Sequence, residues 1–161
     1  PSRALSCLLS SGDGPEECWL RSLAAYLAPG AIRFLGRRGE LAEVCAMMAV
    51  LVLPSRTEGI PAVVIEAAMN QVPVVATNVG GVAETMATGV EGVLVDDASV
   101  ASLTRALASV LDGPAGTTPV GGSKPQLLAR YDIAQAAIAW DELLAQVAAT
   151  RTAPSLFLLN N

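Results

Sequence analysis

A chain of 161 residues fits one domain of ordinary size and is long enough to bury a sizeable core. Hydrophobic residues make up 52% and charged residues only 16%. Even so, the longest apolar run, Val44 to Pro54, falls far short of the ~20 residues that a bilayer crossing needs. A net charge of -5 and a sequence pI near 4.6 argue against nonspecific binding to nucleic acid or to an anionic membrane. The chain has no histidine, which removes Ser-His-Asp and Cys-His nucleophilic sites, HExxH zinc sites and any histidine base from what it can supply. Cys7, Cys18 and Cys45 show no CxxC spacing and read as buried small hydrophobes in a reducing compartment. With no leader pattern at Pro1, a cytoplasmic setting is expected, and the start itself suggests a truncation.

Taken in chain order, short apolar runs alternate with longer amphipathic ones. Ala4–Ser10 reads as a buried strand. In the following GDGPEE, Asp13 is placed to cap a helix with Pro15 in its first position, and that helix runs to Leu27. Ile32–Leu35 is a strand, Glu40–Met48 a helix and Val50–Leu53 a strand. Pro61–Asn70 is a helix, Pro73–Thr77 a strand, Val82–Met86 a short helix and Gly92–Val95 a strand. A helix over Ser99 to Leu111 leads into a Gly/Pro/Thr loop, Gly113–Lys124. Ile133–Ala149 forms a last helix with an apolar face, before a tail that contains SLFLL. We expect one domain over residues 1–149 and a tail over 150–161.

Uniformly apolar strands of four to seven residues between helices predict an α/β fold with a doubly wound, Rossmann-like parallel sheet covered on both faces. The expected order has the first strand at the centre, and that strand is absent ahead of Ala4–Ser10. Ala4–Ser10 should then pair with Ile32–Leu35, with Val50–Leu53, Pro73–Thr77 and Gly92–Val95 forming a second block. The two blocks either close up directly or leave a slot, which the SLFLL segment, a second copy or nothing fills.

Ligands of such sheets sit at the carboxyl ends of the strands. The richest loop there is PSRTEGIP, followed by PAVVIEAAMN. Free N–H groups around Gly59 and Ile60, at the start of a helix opened by Pro61, suit a phosphate. Glu66, five residues into that helix, lies about 7.5 Å along its axis and could accept both hydroxyls of a ribose. It is the only charge in Ala62–Met69, so it is either buried or on a narrow solvent-facing stripe. Glu58 reads equally as a plain loop carboxylate. Gly80 and Gly81 allow a close approach or simply make a turn. Arg37, Arg38 and Arg56 could offset an anion as a set, or be solvated one by one.

GDGPE, IRFLGRRGEL, VLVLPSRTEGIPAVVIEAAMNQVPVVATNVGGVAE and EGVLVDD resemble, in order and spacing, the C-terminal, donor-binding half of a GT-B-fold retaining glycosyltransferase of family four. The resemblance covers about Ala4 to Leu111 and rests above all on the Glu-x7-Glu element, Glu58 to Glu66. It implies transfer of a sugar from a nucleoside-diphosphate sugar, UDP- or GDP-linked, with retained configuration and without cofactor or metal. It assigns Glu66 to the ribose hydroxyls and Glu58 to the reacting face of the sugar. The backbone of Gly59 and Ile60, at the helix start with Pro61, is assigned to the sugar and diphosphate. Arg37 falls near the nucleobase, and Gly80 and Gly81 fall along the pocket wall.

The expected partners are the nucleotide sugar and an N-terminal acceptor-binding domain absent here, to which any peripheral membrane contact is left. The Arg and Lys that hold the diphosphate in that family are also absent ahead of Ala4–Ser10, so this half alone is expected to be inactive. The alternative is a catalytically silent nucleotide-sugar-binding or interaction module. A classical dinucleotide site is disfavoured, because no Gly-rich strand–turn–helix fingerprint follows any strand.

Overall fold

The computed structural model describes residues 7–39, 41–113 and 129–150. Their elements are β1 (Leu8–Ser11), α1 (Glu17–Leu27), β2 (Ile32–Gly36), α2 (Leu41–Cys45), β3 (Leu51–Leu53), α3 (Ala62–Met69), β4 (Val74–Thr77), α4 (Val82–Met86), β5 (Gly92–Val95), α5 (Val100–Asp112) and a last helix, α6 (Ile133–Thr150). Among the described residues every strand pair is parallel. The chain is therefore an α/β protein of the Rossmann-like kind.

Among the described residues the strands pair in two blocks, β1-β2 and β3-β4-β5. Among the described residues no ladder joins β1 to β3, so the two blocks do not close up directly. Each block keeps the order expected of it. In β1-β2 the register is Leu8 with Ile32, slipping by one residue between Ser10 and Ser11 so that Ser11 meets Gly36. The SLFLL segment, the Gly113–Lys124 loop from residue 114 on and the first residues of the strand expected at Ala4–Ser10 lie outside the described residues.

The core sits around β4, all four residues of which are buried. Alternate side chains of a strand face opposite ways. Val74 and Ala76 accordingly join Val64 and Ala67 of α3 and Val82 and Met86 of α4 on one face. Val75 packs with Val95 of β5 and Ala106 of α5 on the other. Both faces are thus covered, which is why β4 carries an unbroken apolar run rather than an alternating one.

Two helix starts and one helix end differ from the sequence expectations. Glu17 N–H bonds to the Gly14 carbonyl at 3.0 Å, so Gly14-Pro15-Glu16-Glu17 is a turn. α1 begins only at Glu17, and Asp13 does not cap it. A proline with φ near -65° serves the second position of a turn as well as the first of a helix. Pro61 is the N-cap of α3 rather than its first residue, with φ -76° and ψ 105°. α2 stops at Cys45 instead of reaching Met48. α5 is capped by Ser99, whose side chain accepts from Ser102 N–H at 3.1 Å.

Of the three cysteines only Cys45 is buried. Cys7 is half-buried and Cys18 exposed, which corrects the expectation for those two. α6 is tied to the body at its base, where Tyr131 Oη donates to Thr85 Oγ1 at 3.2 Å and Arg130 pairs with Glu84. Beyond that its apolar residues stay exposed, Trp140 and Leu144 among them. Among the described residues no helix is long and apolar enough to cross a membrane.

Candidate functional site

The carboxyl ends of β3 and β4 place two loops side by side, residues 54–61 and 78–81. The first runs into α3 and the second into α4. Thr77, the last residue of β4 and only 2% exposed, sets their spacing. Its hydroxyl lies against two carbonyls of the first loop's approach, Ser55 O and, at 3.4 Å, Leu53 O. A buried hydroxyl needs such an acceptor.

The two loops then meet backbone to backbone. Gly81 N–H donates to Gly59 O at 2.9 Å. A Cβ on Gly81 would lie 2.6 Å from that same oxygen, and one on Gly80 would lie 2.8 Å from the carbonyl carbon of Glu58. Gly80 also has φ +53°, a region other residues rarely adopt. Behind the turn, Thr85 Oγ1 donates to Gly81 O at 2.9 Å. The glycine pair is therefore explained by the neighbouring loop that packs on it. Any ligand contact would come in addition.

Within the first loop, Ser55 Oγ donates to Glu58 Oε1 at 2.6 Å. Gly59 and Ile60 are exposed, and Pro61 is buried at the mouth of α3. Among the described residues no side chain caps α3, which leaves its first N–H groups to a ligand or solvent. Glu66 lies five residues along the helix. Its side chain is half-buried, and Oε2 is buried without a hydrogen bond from any described residue. Burying such an oxygen unpartnered costs stability. Cys45 in α2 is close enough for the charge of Glu66 to add to burial in pushing its thiol pKa up.

Glu58, Gly59, Ile60, Pro61, Glu66, Gly80 and Gly81 thus stand around one pair of loops and one helix start. Arg37 does not join them by any hydrogen bond or ion pair among the described residues. It is exposed just past the end of β2, in the other block, as is Arg38. Arg56 is exposed in the first loop. Among the described residues no three of His, Cys, Asp and Glu gather as a metal-binding group would. Ser55 and Thr77 escaped the sequence reading. Their only signal was a hydroxyl three residues before Glu58 and a polar residue closing an otherwise apolar strand.

Residues 3–113 match the family described as "Glycosyl transferases group 1". The chain is 35% identical over 136 residues to D-inositol 3-phosphate glycosyltransferase of Corynebacterium urealyticum, covering 81% of this chain and 32% of that protein. It is 36% identical over 111 residues to glycogen synthase of Mycobacterium tuberculosis, covering 67% of this chain and 27% of that protein. The chain thus spans about a third of the length of the curated relatives it matches. Among solved structures, sucrose-phosphate synthase of Thermosynechococcus elongatus superposes with a TM-score of 0.70 at 26% identity, over 88% of this chain and 38% of that one. Anabaena HepE, in complex with UDP and glucose, superposes with a TM-score of 0.73 at 22% identity, over 87% and 40%. With a family match over more than half its length and the half-GT-B fold of these neighbours, the chain belongs to the group 1 glycosyltransferases.

Proposed function

We propose that this chain is the donor-binding half of a retaining glycosyltransferase, which moves a sugar from a nucleoside-diphosphate sugar to an acceptor held by a further domain. One observation carries the reading. Glu66 keeps a buried carboxylate oxygen that takes no hydrogen bond from a described residue, about a turn and a half inside the start of α3. A diphosphate at that helix start would meet free N–H groups and the positive end of the helix dipole. The ribose would then reach Glu66, whose two oxygens can accept both of its hydroxyls. The UDP and glucose bound to HepE support the same ligand class here.

In this reading Glu58 faces the sugar and the backbone of Gly59 and Ile60 flanks it. Gly80 and Gly81 form the wall behind, and Arg37 borders the base. The acceptor attacks from the face the diphosphate leaves, which retains the configuration. Charge growing on the departing diphosphate is stabilised by the start of α3, without metal or cofactor and in a cytoplasmic setting.

Calorimetric titration with UDP and with GDP tests the proposal. Charged hydrogen bonds contribute about 1.5–3 kcal/mol each, so Glu66→Ala should weaken the preferred nucleotide at least roughly tenfold. Unchanged affinity in that variant would remove the ribose assignment. Binding of neither nucleotide to the parent chain would overturn the donor-site reading.

A further inference from the structure

Glu58 is a loop carboxylate, and a loop glutamate left to itself samples many rotamers. Here one oxygen is held by Ser55 Oγ at 2.6 Å, within the range of about 2.5–2.7 Å that marks a hydroxyl donating to a charged carboxylate. Ser55 is itself fixed. Its carbonyl accepts from the buried hydroxyl of Thr77 at the end of β4. The far side of the same loop is set against the next one, by Gly81 N–H on Gly59 O and by Gly80 under the Glu58 carbonyl. One end of the short segment 55–59 is thereby anchored to β4, the most buried strand of the fold, and the other to the loop that follows it.

We infer that Ser55 is the positioning residue for Glu58, holding its carboxylate in one orientation toward the sugar of a nucleotide-sugar donor; the inference rests on the donor-site reading above. The serine proton is spent on Oε1. Oε2 takes no hydrogen bond from a described residue and remains for a sugar hydroxyl. No core group depends on the Ser55 hydroxyl, whose bond within the described residues is the one to Glu58. Its effect should therefore be felt at the sugar end of the ligand and not at the nucleotide end, which Glu66 serves.

That asymmetry supplies the test. Calorimetry on the 161-residue chain compares UDP with UDP-glucose, and GDP with GDP-mannose, for the parent, Ser55→Ala, Ser55→Thr and Glu58→Gln. The parent should bind the sugar-linked form of its nucleotide more tightly than the free diphosphate. Ser55→Ala should reduce that preference roughly fivefold, the value of one ordinary hydrogen bond, while the free diphosphate binds as before. Ser55→Thr, which keeps the hydroxyl, should restore the preference, and Glu58→Gln should reduce it as Ser55→Ala does. If Ser55→Ala fails to fold, Ser55→Cys carries the same comparison, because a thiol is a weak donor.

Equal losses for both ligand forms in Ser55→Ala would mean a merely structural serine and would overturn the inference. A full sugar preference in Ser55→Ala, with that of Glu58→Gln lost, would overturn it while leaving Glu58 at the sugar. A parent chain that binds the diphosphate without preferring the sugar-linked form would remove Glu58 from the sugar and Ser55 with it, leaving Glu66 untouched. Binding of neither form would overturn the donor-site reading, and the inference would fall with it.

Discussion

The carbonyl of Glu58 occupies the space that a side chain on Gly80 would need, since a Cβ there would come within 2.8 Å of its carbonyl carbon. Two loops that leave different strands are therefore packed to backbone contact at this point. The hydrogen bond from Gly81 to Gly59 beside it is one consequence.

Gly80→Ala should therefore lower stability and ligand binding together. A non-glycine residue at φ +53° costs about 1–2 kcal/mol, and moving the Glu58 carbonyl adds to that. Gly92 offers the control. A Cβ there would lie 2.7 Å from the backbone nitrogen and carbonyl carbon of Val74, inside the β4-β5 ladder and away from the loops. Gly92→Ala should lose comparable stability in a urea melt yet bind UDP or GDP within about twofold of the parent once folded. Equal binding losses in the two variants would show that the glycine pair has no special hold on the site.

How far the sequence foretold these relations depends on their range. Val74–Thr77 and Gly92–Val95 were legible as strands because β-branched runs bounded by Pro and Gly have few other outcomes. Glu66 was legible as the lone charge in an apolar helix. The role of Gly80 was not, because its reason is a carbonyl 22 residues earlier that only the tertiary fold brings near. Ser55 looked like any loop serine for the same cause. The start of α1 was misplaced because Pro15 suits a turn and a helix equally, and nothing local chose between them. Cys18 was misassigned because α1 leaves part of its apolar surface, Leu20 and Leu27 included, exposed.

At the start of α5, Asp97 should make a pH-dependent contribution to stability. Hydrogen bonds from Ser99, side chain first and then backbone, followed by one from Ser102, hold its pKa below the usual carboxylate value. A group depressed in the folded state stabilises it above the unfolded value, near 3.9 for aspartate. That contribution is lost as pH falls below 3.9 toward the lowered native value. Asp97→Asn should therefore flatten the stability–pH curve below about pH 4 and leave its shape at neutral pH unchanged. Parallel curves for the two proteins across the acid range would show that the cap network contributes nothing.

The cysteines should separate by exposure. Cys18 is exposed on α1, whereas Cys45 is fully buried. Burial first, and the charge of Glu66 second, push its thiol pKa up, so little reactive thiolate forms there. A maleimide at neutral pH should label Cys18 promptly, and Cys45 only as fast as the fold opens. Mass spectrometry of the labelled peptides over time reads this directly. Prompt labelling of Cys45 in the native protein would mean that α2, which packs on α3, does not shield the thiol.

Glu66 should be a residue kept for binding at the expense of the fold. One of its oxygens is buried and takes no hydrogen bond from a described residue, and the helix around it is otherwise apolar. Replacing such a group with an apolar one of similar length removes a desolvation cost and keeps the packing. Glu66→Met should therefore be as stable as the parent in urea, or more stable by up to about 1–2 kcal/mol. The advantage should shrink or reverse when nucleotide is present. Ligand at a hundred times its Kd stabilises a folded protein by about 2.7 kcal/mol, and by about 1.4 kcal/mol once that Kd has risen tenfold, so UDP or GDP should raise the urea midpoint of Glu66→Met by about half as much as that of the parent, or less. Two melts per protein, with and without nucleotide, measure both halves. A Glu66→Met chain destabilised by more than about 1 kcal/mol without ligand would place Glu66 among the groups that hold the fold together. The unpartnered oxygen would then need a different explanation from a ribose.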